Sequence, residues 1–366
     1  MASMVIKSLQ HAATQPLLTG PLLWILTRGP ADIREHLLAP FHSNILSRNS
    51  TTRTSRFIAI LKFLTVYGLA RRINTALNKL AWNNWCLTRQ GKPFRFGGEK
   101  QELVFITGGS SGFGYEMVKR FSKVARVVVL DVQTFPPELG KLPDVYLYHC
   151  DLCDTCAVEE TCAEIRKRHG DPTVLINNAG IGAAKLVLDT TNHETEKLFK
   201  VNIISHFTLI REFLPGMLRM NKGHIVTIAS MASFFASPGL LDYSCSKIAA
   251  LYLSEGIRAE LLSRYGPAGR TICTTSIHPS WHATHILTDS TWQNIKSKGY
   301  KIDPPSNVVD VVVEQVLKGR SGRVCVPLEE EAKMGFRSWP RWWQDVVGGL
   351  MRMSGGVQLG REEVRL

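Results

Sequence analysis

Tyr243 and Lys247 stand four residues apart in the run YSCSK, so on a helix their side chains share one face about one turn apart. Ser230 lies thirteen residues upstream of Tyr243 and closes an apolar, strand-like run, HIVTIAS, at 224–230. A phenol, a hydroxyl and an ammonium held in this way surround one substrate oxygen. That arrangement suits hydride transfer, in which the oxygen must gain or lose a proton as the hydride moves. Asn202, upstream of the three, completes the candidate catalytic set.

A hydride needs a cofactor, and the loop TGGSSGFG at 107–114 has the pattern for holding one. It follows a strand-like run and leads into a helix predicted over 115–123. Gly108 permits the tight turn, Gly112 lets the backbone approach a pyrophosphate, and Gly114 allows close helix–strand packing. The helix N-terminus adds free N–H groups and partial positive charge. With Ser110 and Ser111, these glycines are the loop's candidate cofactor-binding residues. Asp131 ends the next strand, where a carboxylate accepts both ribose hydroxyls of NAD and repels the 2′-phosphate of NADP. The expected cofactor is NAD(P), with NAD favoured. Asp151 is placed to bond the adenine, and Asn178, in the turn NNAG at 177–180, lies where the cofactor's ribose would sit.

The elements that position these residues are legible as short β-rich runs at Leu103–Thr107, Arg126–Asp131, Val145–His149, 173–177, 224–229 and 271–277, with 323–326 as a last strand. Helix-length segments separate most of them. Continuous apolar strands alternating with helices indicate a parallel sheet covered on both faces. The expected fold class is α/β, a doubly wound, mostly parallel sheet (Rossmann fold). It forms a single catalytic domain over 100–330, preceded by a helical extension at 1–99 and followed by a Trp- and Arg-rich segment at 331–366.

The loop, the NNAG turn, Asn202, Ser230 and the YxxxK pair together resemble the short-chain dehydrogenase/reductase family. GHIVTIASMA, YSCSKIAA and IHP are similar to its membrane-associated branch of retinol dehydrogenases and 17β-hydroxysteroid dehydrogenases. The resemblance implies Tyr243 as general acid/base and Ser230 as the hydrogen bond on the substrate oxygen. It implies that Lys247 lowers the tyrosine pKa and binds the nicotinamide ribose beside Tyr243, that Asn202 holds a water in a proton relay, and that Thr284 binds phosphate or carboxamide. A phenol titrating near 10 is a poor base at neutral pH, and an ammonium plus the nicotinamide charge favours its phenolate. The implied substrate is a lipophilic alcohol or carbonyl of steroid, retinoid, long-chain or secondary-metabolite type. Helices at 203–220 and 243–263 resemble the pair through which the family forms homodimers. One departure concerns the turn after the sixth strand, Pro-Gly in the family but Pro279-Ser280-Trp281-His282 here, where Ser280 lacks glycine's freedom at positive φ. His282 is assigned no catalytic role.

Charge separates the two ends of the chain. Residues 1–100 carry fourteen Lys and Arg against three Asp and Glu, a net +11 of the chain's +13. Apolar stretches at 17–26 and 57–70 both fall short of the roughly 20 residues that cross a bilayer as a helix. A membrane-surface anchor is therefore expected, with Trp82 and Trp85 at headgroup level and basic residues facing anionic lipid, and no nucleic acid as partner. A packed helical extension and an acid-poor mitochondrial presequence are the alternatives. The branch resemblance adds the endoplasmic reticulum or lipid droplet as location, with the catalytic domain in the cytosol. Trp339, Trp342 and Trp343, among Arg337 and Arg341, form a second membrane-facing patch, a lid or part of the core. Eight cysteines without a cleavable secretory signal indicate reduced thiols. Cys150, Cys153, Cys156 and Cys162 cluster where Asp151 is needed for adenine, so no metal is expected.

The competing reading is a non-catalytic membrane or lipid-surface protein that retains a nucleotide-binding fold. The set Ser230, Tyr243 and Lys247 counts against it, since a binding module has no need of all three. The substrate pocket is expected from 284–301 and the C-terminal segment.

Overall fold

The computed structural model describes residues 12–39, 50–236, 238–284 and 301–353, together with 286, 292, 293, 296 and 297. They fall into two units that divide between Trp85 and Cys86.

The first unit is helical: α1 (Pro16–Arg28), α2 (Ala31–Leu38) and α3 (Ser50–Trp82). Pro16 opens α1 at a position where its missing N–H costs nothing. Leu26 of α1 and Leu61 of α3 are buried. A Cβ on Gly68 would stand 2.2 Å from Thr14 O, so the chain before α1 lies directly on α3. The apolar stretch at 57–70 thus sits inside one helix of 33 residues, about 50 Å long at 1.5 Å per residue. Trp24, Ile60, Phe63, Val66 and Tyr67 are exposed. Among the described residues no helix is long and apolar enough to cross a membrane.

The second unit holds seven strands, β1 (Leu103–Thr107), β2 (Arg126–Asp131), β3 (Val145–His149), β4 (Val174–Asn177), β5 (Gly223–Ile228), β6 (Ile272–Pro279) and β7 (Gly322–Val326). They form one parallel sheet in the order β3-β2-β1-β4-β5-β6-β7. Its helices are α4 (Gly112–Phe121), α5 (Thr155–His169), α6 (Asn192–Phe199), α7 (Ser205–Met220), α8 (Leu241–Arg264), α9 (Ser306–Lys318) and α10 (Arg341–Met353). The two-residue period of a strand sends Leu103 and Phe105 of β1 to one face and Val104 and Ile106 to the other. On the first face they meet Leu209 and Phe213 of α7 and Ile257 of α8. On the second they meet Met117 and Phe121 of α4 with Val308 and Val312 of α9. Burial on both faces explains why these strands read as continuous apolar runs. The strand order reverses between β1 and β4, which opens a crevice at the carboxyl ends of the strands.

Residues 86–100 pack on this sheet unit. Lys92 N donates to Asn221 O at 3.0 Å and Gly97 N to Val124 O at 2.8 Å. Phe94 and Phe96 pack against the core beneath α4 and α9, and the Arg89 guanidinium lies 4.1 Å over the Phe94 ring. Near the C-terminus Trp339 packs on Phe336, whereas Trp342 and Trp343 are exposed on α10. Cys150 and Cys162 are buried and Cys156 is exposed. No group of three or more His, Cys, Asp or Glu among the described residues could hold a metal ion.

Candidate active site

The glycine loop is shaped by contacts that only glycine allows. Gly108 takes φ +69° and Gly112 φ +54°. A Cβ on Gly114 would stand 1.9 Å from Gly108 O, and one on Gly108 would stand 2.8 Å from Ala179 Cα. Helix α4 begins at Gly112, three residues before its predicted start, and the Ser111 side chain does not cap it. Its first N–H groups are left to the cavity.

Asn178 braces this loop. Its Nδ2 donates to Thr107 O at 2.9 Å and Gly108 O at 3.0 Å, and Thr107 Oγ1 accepts from Asn178 N and Ala179 N. Both amide hydrogens are therefore spent on protein, and Asn178 acts on a cofactor by fixing the loop. Asp131 at the end of β2 does two tasks as well. Its Oδ2 accepts from Ser110 N at 2.8 Å and its Oδ1 from Gln133 N at 2.9 Å. Each oxygen keeps a lone pair for a further donor. Asp151 forms a turn in which Oδ1 accepts from Cys153 N at 2.9 Å.

One cavity of about 570 Å³ is lined by Gly108, Ser111, Gly112, Asp131, Asp151, Asn178 and Thr284 together with Ser230, Tyr243 and Lys247. The structure thus brings ten of the thirteen sequence-predicted site residues to the lining of one cavity. Ser110, Gly114 and Asn202 are not among its lining residues. The fit to a dinucleotide rests on the uncapped helix start, the glycine cradle and the Asp131 carboxylate.

Tyr243 and Lys247 face the cavity from α8, one turn apart as their spacing predicts. Lys247 Nζ donates to Ile228 O at 2.8 Å and lies 5.6 Å from the centre of the Tyr243 ring. Burial pushes Tyr243 up to about 12, with a hydrogen bond to Ser230 pulling the other way. Burial also pushes Lys247 down to about 8. Desolvation, which disfavours the charged form of each, thus acts on both groups.

The Asn202 side chain is held by protein partners. It lies in a π-helical turn, Lys200–Ile204, between α6 and α7, a geometry that recurs at functional sites. Its Oδ1 accepts from Ile181 N and its Nδ2 donates to Ile181 O, both at 2.9 Å, and to Ser246 Oγ at 3.0 Å. Ser246 Oγ in turn donates to Tyr243 O at 2.8 Å. The amide has no hydrogen left for a water. It ties the loop after β4 to the helix that carries Tyr243.

The turn after β6 closes without glycine. Ser280 does not take a positive φ, and its N–H donates to Val326 O at 2.8 Å. Trp281 and Trp292 meet edge to face in the cavity wall, and Trp292 Nε1 donates to Thr284 O at 2.9 Å. Sequence reasoning placed the pocket in this stretch but missed both indoles, since neither lies in a periodic element. Much of 284–301 falls outside the described residues.

The chain matches the short chain dehydrogenase family model over residues 102–294. It is 35% identical over 258 residues, 70% of its length, to Dehydrogenase RED2 of Cochliobolus heterostrophus, 86% of which is covered. It is 35% identical over 172 residues to Epidermal retinol dehydrogenase 2 of Mus musculus, covering 44% of this chain and 55% of that protein. With 17-beta-hydroxysteroid dehydrogenase 13 of Homo sapiens it shares 32% identity over 179 residues, 47% of this chain and 60% of the other. The solved structure of 4-hydroxyisoleucine dehydrogenase complexed with NADH has the same fold, with a TM-score of 0.56 at 24% identity, covering 62% of this chain and 96% of that one. The chain belongs to the short chain dehydrogenase family. It is an oxidoreductase acting on the CH–OH group.

Proposed function

We propose that this oxidoreductase moves a hydride between NAD and a lipophilic alcohol or carbonyl of steroid, retinoid or long-chain type, working from a membrane surface over the domain division expected from sequence. The observation that carries the reading is the convergence of Ser230, Tyr243 and Lys247 on the cavity that also holds the glycine cradle. When bound, the nicotinamide supplies or accepts the hydride. Tyr243 exchanges the proton with the substrate oxygen, Ser230 holds that oxygen, and Lys247 keeps a positive charge beside both. Asp131 favours NAD, since its carboxylate repels a 2′-phosphate. The apolar wall of Ile181, Leu240, Ile286, Trp281 and Trp292 suits a lipophilic substrate, as do the names of the retinol and hydroxysteroid relatives.

The exposed apolar side chains of α1 and α3, with the +11 charge of the first hundred residues, support a membrane surface. Phe207 of α7 and Tyr252 of α8, both exposed, support a homodimer through those helices. The likeness to retinol and hydroxysteroid dehydrogenases supports an endoplasmic reticulum or lipid-droplet location. Turnover by Tyr243→Phe on a panel of hydroxysteroids, retinoids and long-chain alcohols tests the catalytic reading. A loss of several orders of magnitude in a folded variant is expected, and near-unaltered activity would overturn it.

A further inference from the structure

His278 is fully buried near the end of β6. Its Nδ1 lies 3.1 Å from the Ser230 carbonyl and its Nε2 lies 3.0 Å from Ser276 Oγ. A carbonyl oxygen only accepts, so Nδ1 carries the proton and donates to Ser230 O. In the neutral ring Nε2 then accepts from the Ser276 hydroxyl. Burial holds His278 near 4, so the ring stays neutral at physiological pH. The Phe234 ring packs on it at 4.8 Å.

The place of this bond gives it meaning. The β5–β6 ladder runs through Ile228 opposite Ile277, and Ala229 N donates to Ile277 O at 2.8 Å. Ser230 lies one residue beyond, where main-chain pairing has ended. There the imidazole stands in for the next rung. Ser230 O also accepts from Ser233 N at 3.0 Å, and Ser230 Oγ accepts from Ala232 N at 3.1 Å. A side chain from β6 thus fixes the peptide from which the Ser230 hydroxyl projects toward Tyr243.

We propose that His278 is a positioning residue for the reaction: its Nδ1–H holds the Ser230 peptide and so sets where the Ser230 hydroxyl meets the substrate oxygen. The proposal rests on the reading of Ser230 given above. Asn at 278 keeps a donor near the Nδ1 position, whereas Gln reaches only the Ser276 side, so the two variants separate this bond from general packing. In crystal structures, H278Q is expected to show Ser230 Oγ displaced from its place beside Tyr243, and H278N to leave it there. With the panel compound turned over fastest by the unaltered protein, H278Q should lower kcat by about tenfold or more, since a misplacement of about 1 Å costs on the order of 100-fold. H278N should restore most of it. NADH affinity, read by fluorescence titration, should be unchanged in both.

Ser230 staying in place in a folded H278Q, or equal kcat losses in H278Q and H278N that follow their melting temperatures, would overturn the proposal. Ser230→Ala serves as the control. If it retains full activity, the reading of Ser230 fails; if it is impaired while H278Q is not, only the role of His278 fails.

Discussion

Lys247 Nζ donates to the carbonyl of Ile228, the last residue of β5, at 2.8 Å while standing 5.6 Å from the centre of the Tyr243 ring. The lysine is anchored to the carboxyl edge of the sheet by a neutral acceptor. Its charge is therefore left for what enters the cavity. That placement carries an energetic penalty, because an ammonium is held out of water without a counter-charge.

Replacing Lys247 with Met should abolish turnover and yet stabilise the fold at neutral pH. Burial lowers the folded-state pKa from 10.5 to about 8, so between those values the unfolded chain binds the extra proton. Stability of the unaltered protein accordingly rises as pH goes from about 8 to 10.5. Lys247→Met should be more stable by about 3 kcal/mol at pH 7, less about 1 kcal/mol for the lost bond to Ile228. Urea denaturation at pH 7 and pH 10.5 should show that advantage shrinking toward high pH.

Acid should unfold the protein by way of its buried histidines. Burial holds His206 and His224 near 3 and His278 near 4, against 6.5 when exposed. The folded-state values are depressed, so this stability is fully present above about pH 6.5 and is lost as pH falls toward 4 and below. Three protons taken up on unfolding give a slope of up to about 4 kcal/mol per pH unit. The urea midpoint measured between pH 7 and pH 5 checks the slope, which His278→Asn should reduce by one proton.

Asp131→Ala should narrow the preference for NAD over NADP and loosen the glycine loop at the same time. The carboxylate accepts from Ser110 N and Gln133 N, and leaving such donors buried costs about 1–3 kcal/mol. Paired titrations with NADH and NADPH, read beside the melting temperature, separate the two effects. An NADPH preference in the unaltered protein would remove the assignment.

A chain beginning at Cys86 should stay soluble without detergent and retain the site, while the full-length protein should sediment with membranes and be released by detergent but not by salt. One beginning at Gly98 should be much less stable. It lacks Phe94 and Phe96, which pack beneath α4 and α9, and the Arg89 stack on Phe94. Lysate fractionation and thermal melts of the two shortened chains test both halves.

The central strands Leu103–Thr107 and Arg126–Asp131 were legible because they are buried on both faces, and the edge strand Val145–His149 is likewise read from sequence with the bounds it has in the structure. The glycine loop and the Tyr243–Lys247 pair were legible for a similar reason, since local spacing dictates their geometry. What the sequence concealed depends on contacts between distant segments. Nothing near Asn202 announces that its amide binds Ile181 and Ser246. Nothing near Phe94 announces that it packs beneath α9. The extension is read as helical, but the bounds of the continuous helix Ser50–Trp82 were not legible, because its polar flanks have no period that marks where the helix begins.

The dependence of Ser230 on β6 has a consequence for synthesis of the chain. A ribosome delivers residues in order, so a nascent chain that has reached Lys247 already contains Asn202, Ser230, Tyr243 and Lys247. It does not yet contain His278, nor the strand that covers the outer edge of β5. Translation that stops in that interval is expected to yield a polypeptide with all four candidate catalytic residues and no strand to hold Ser230 in place.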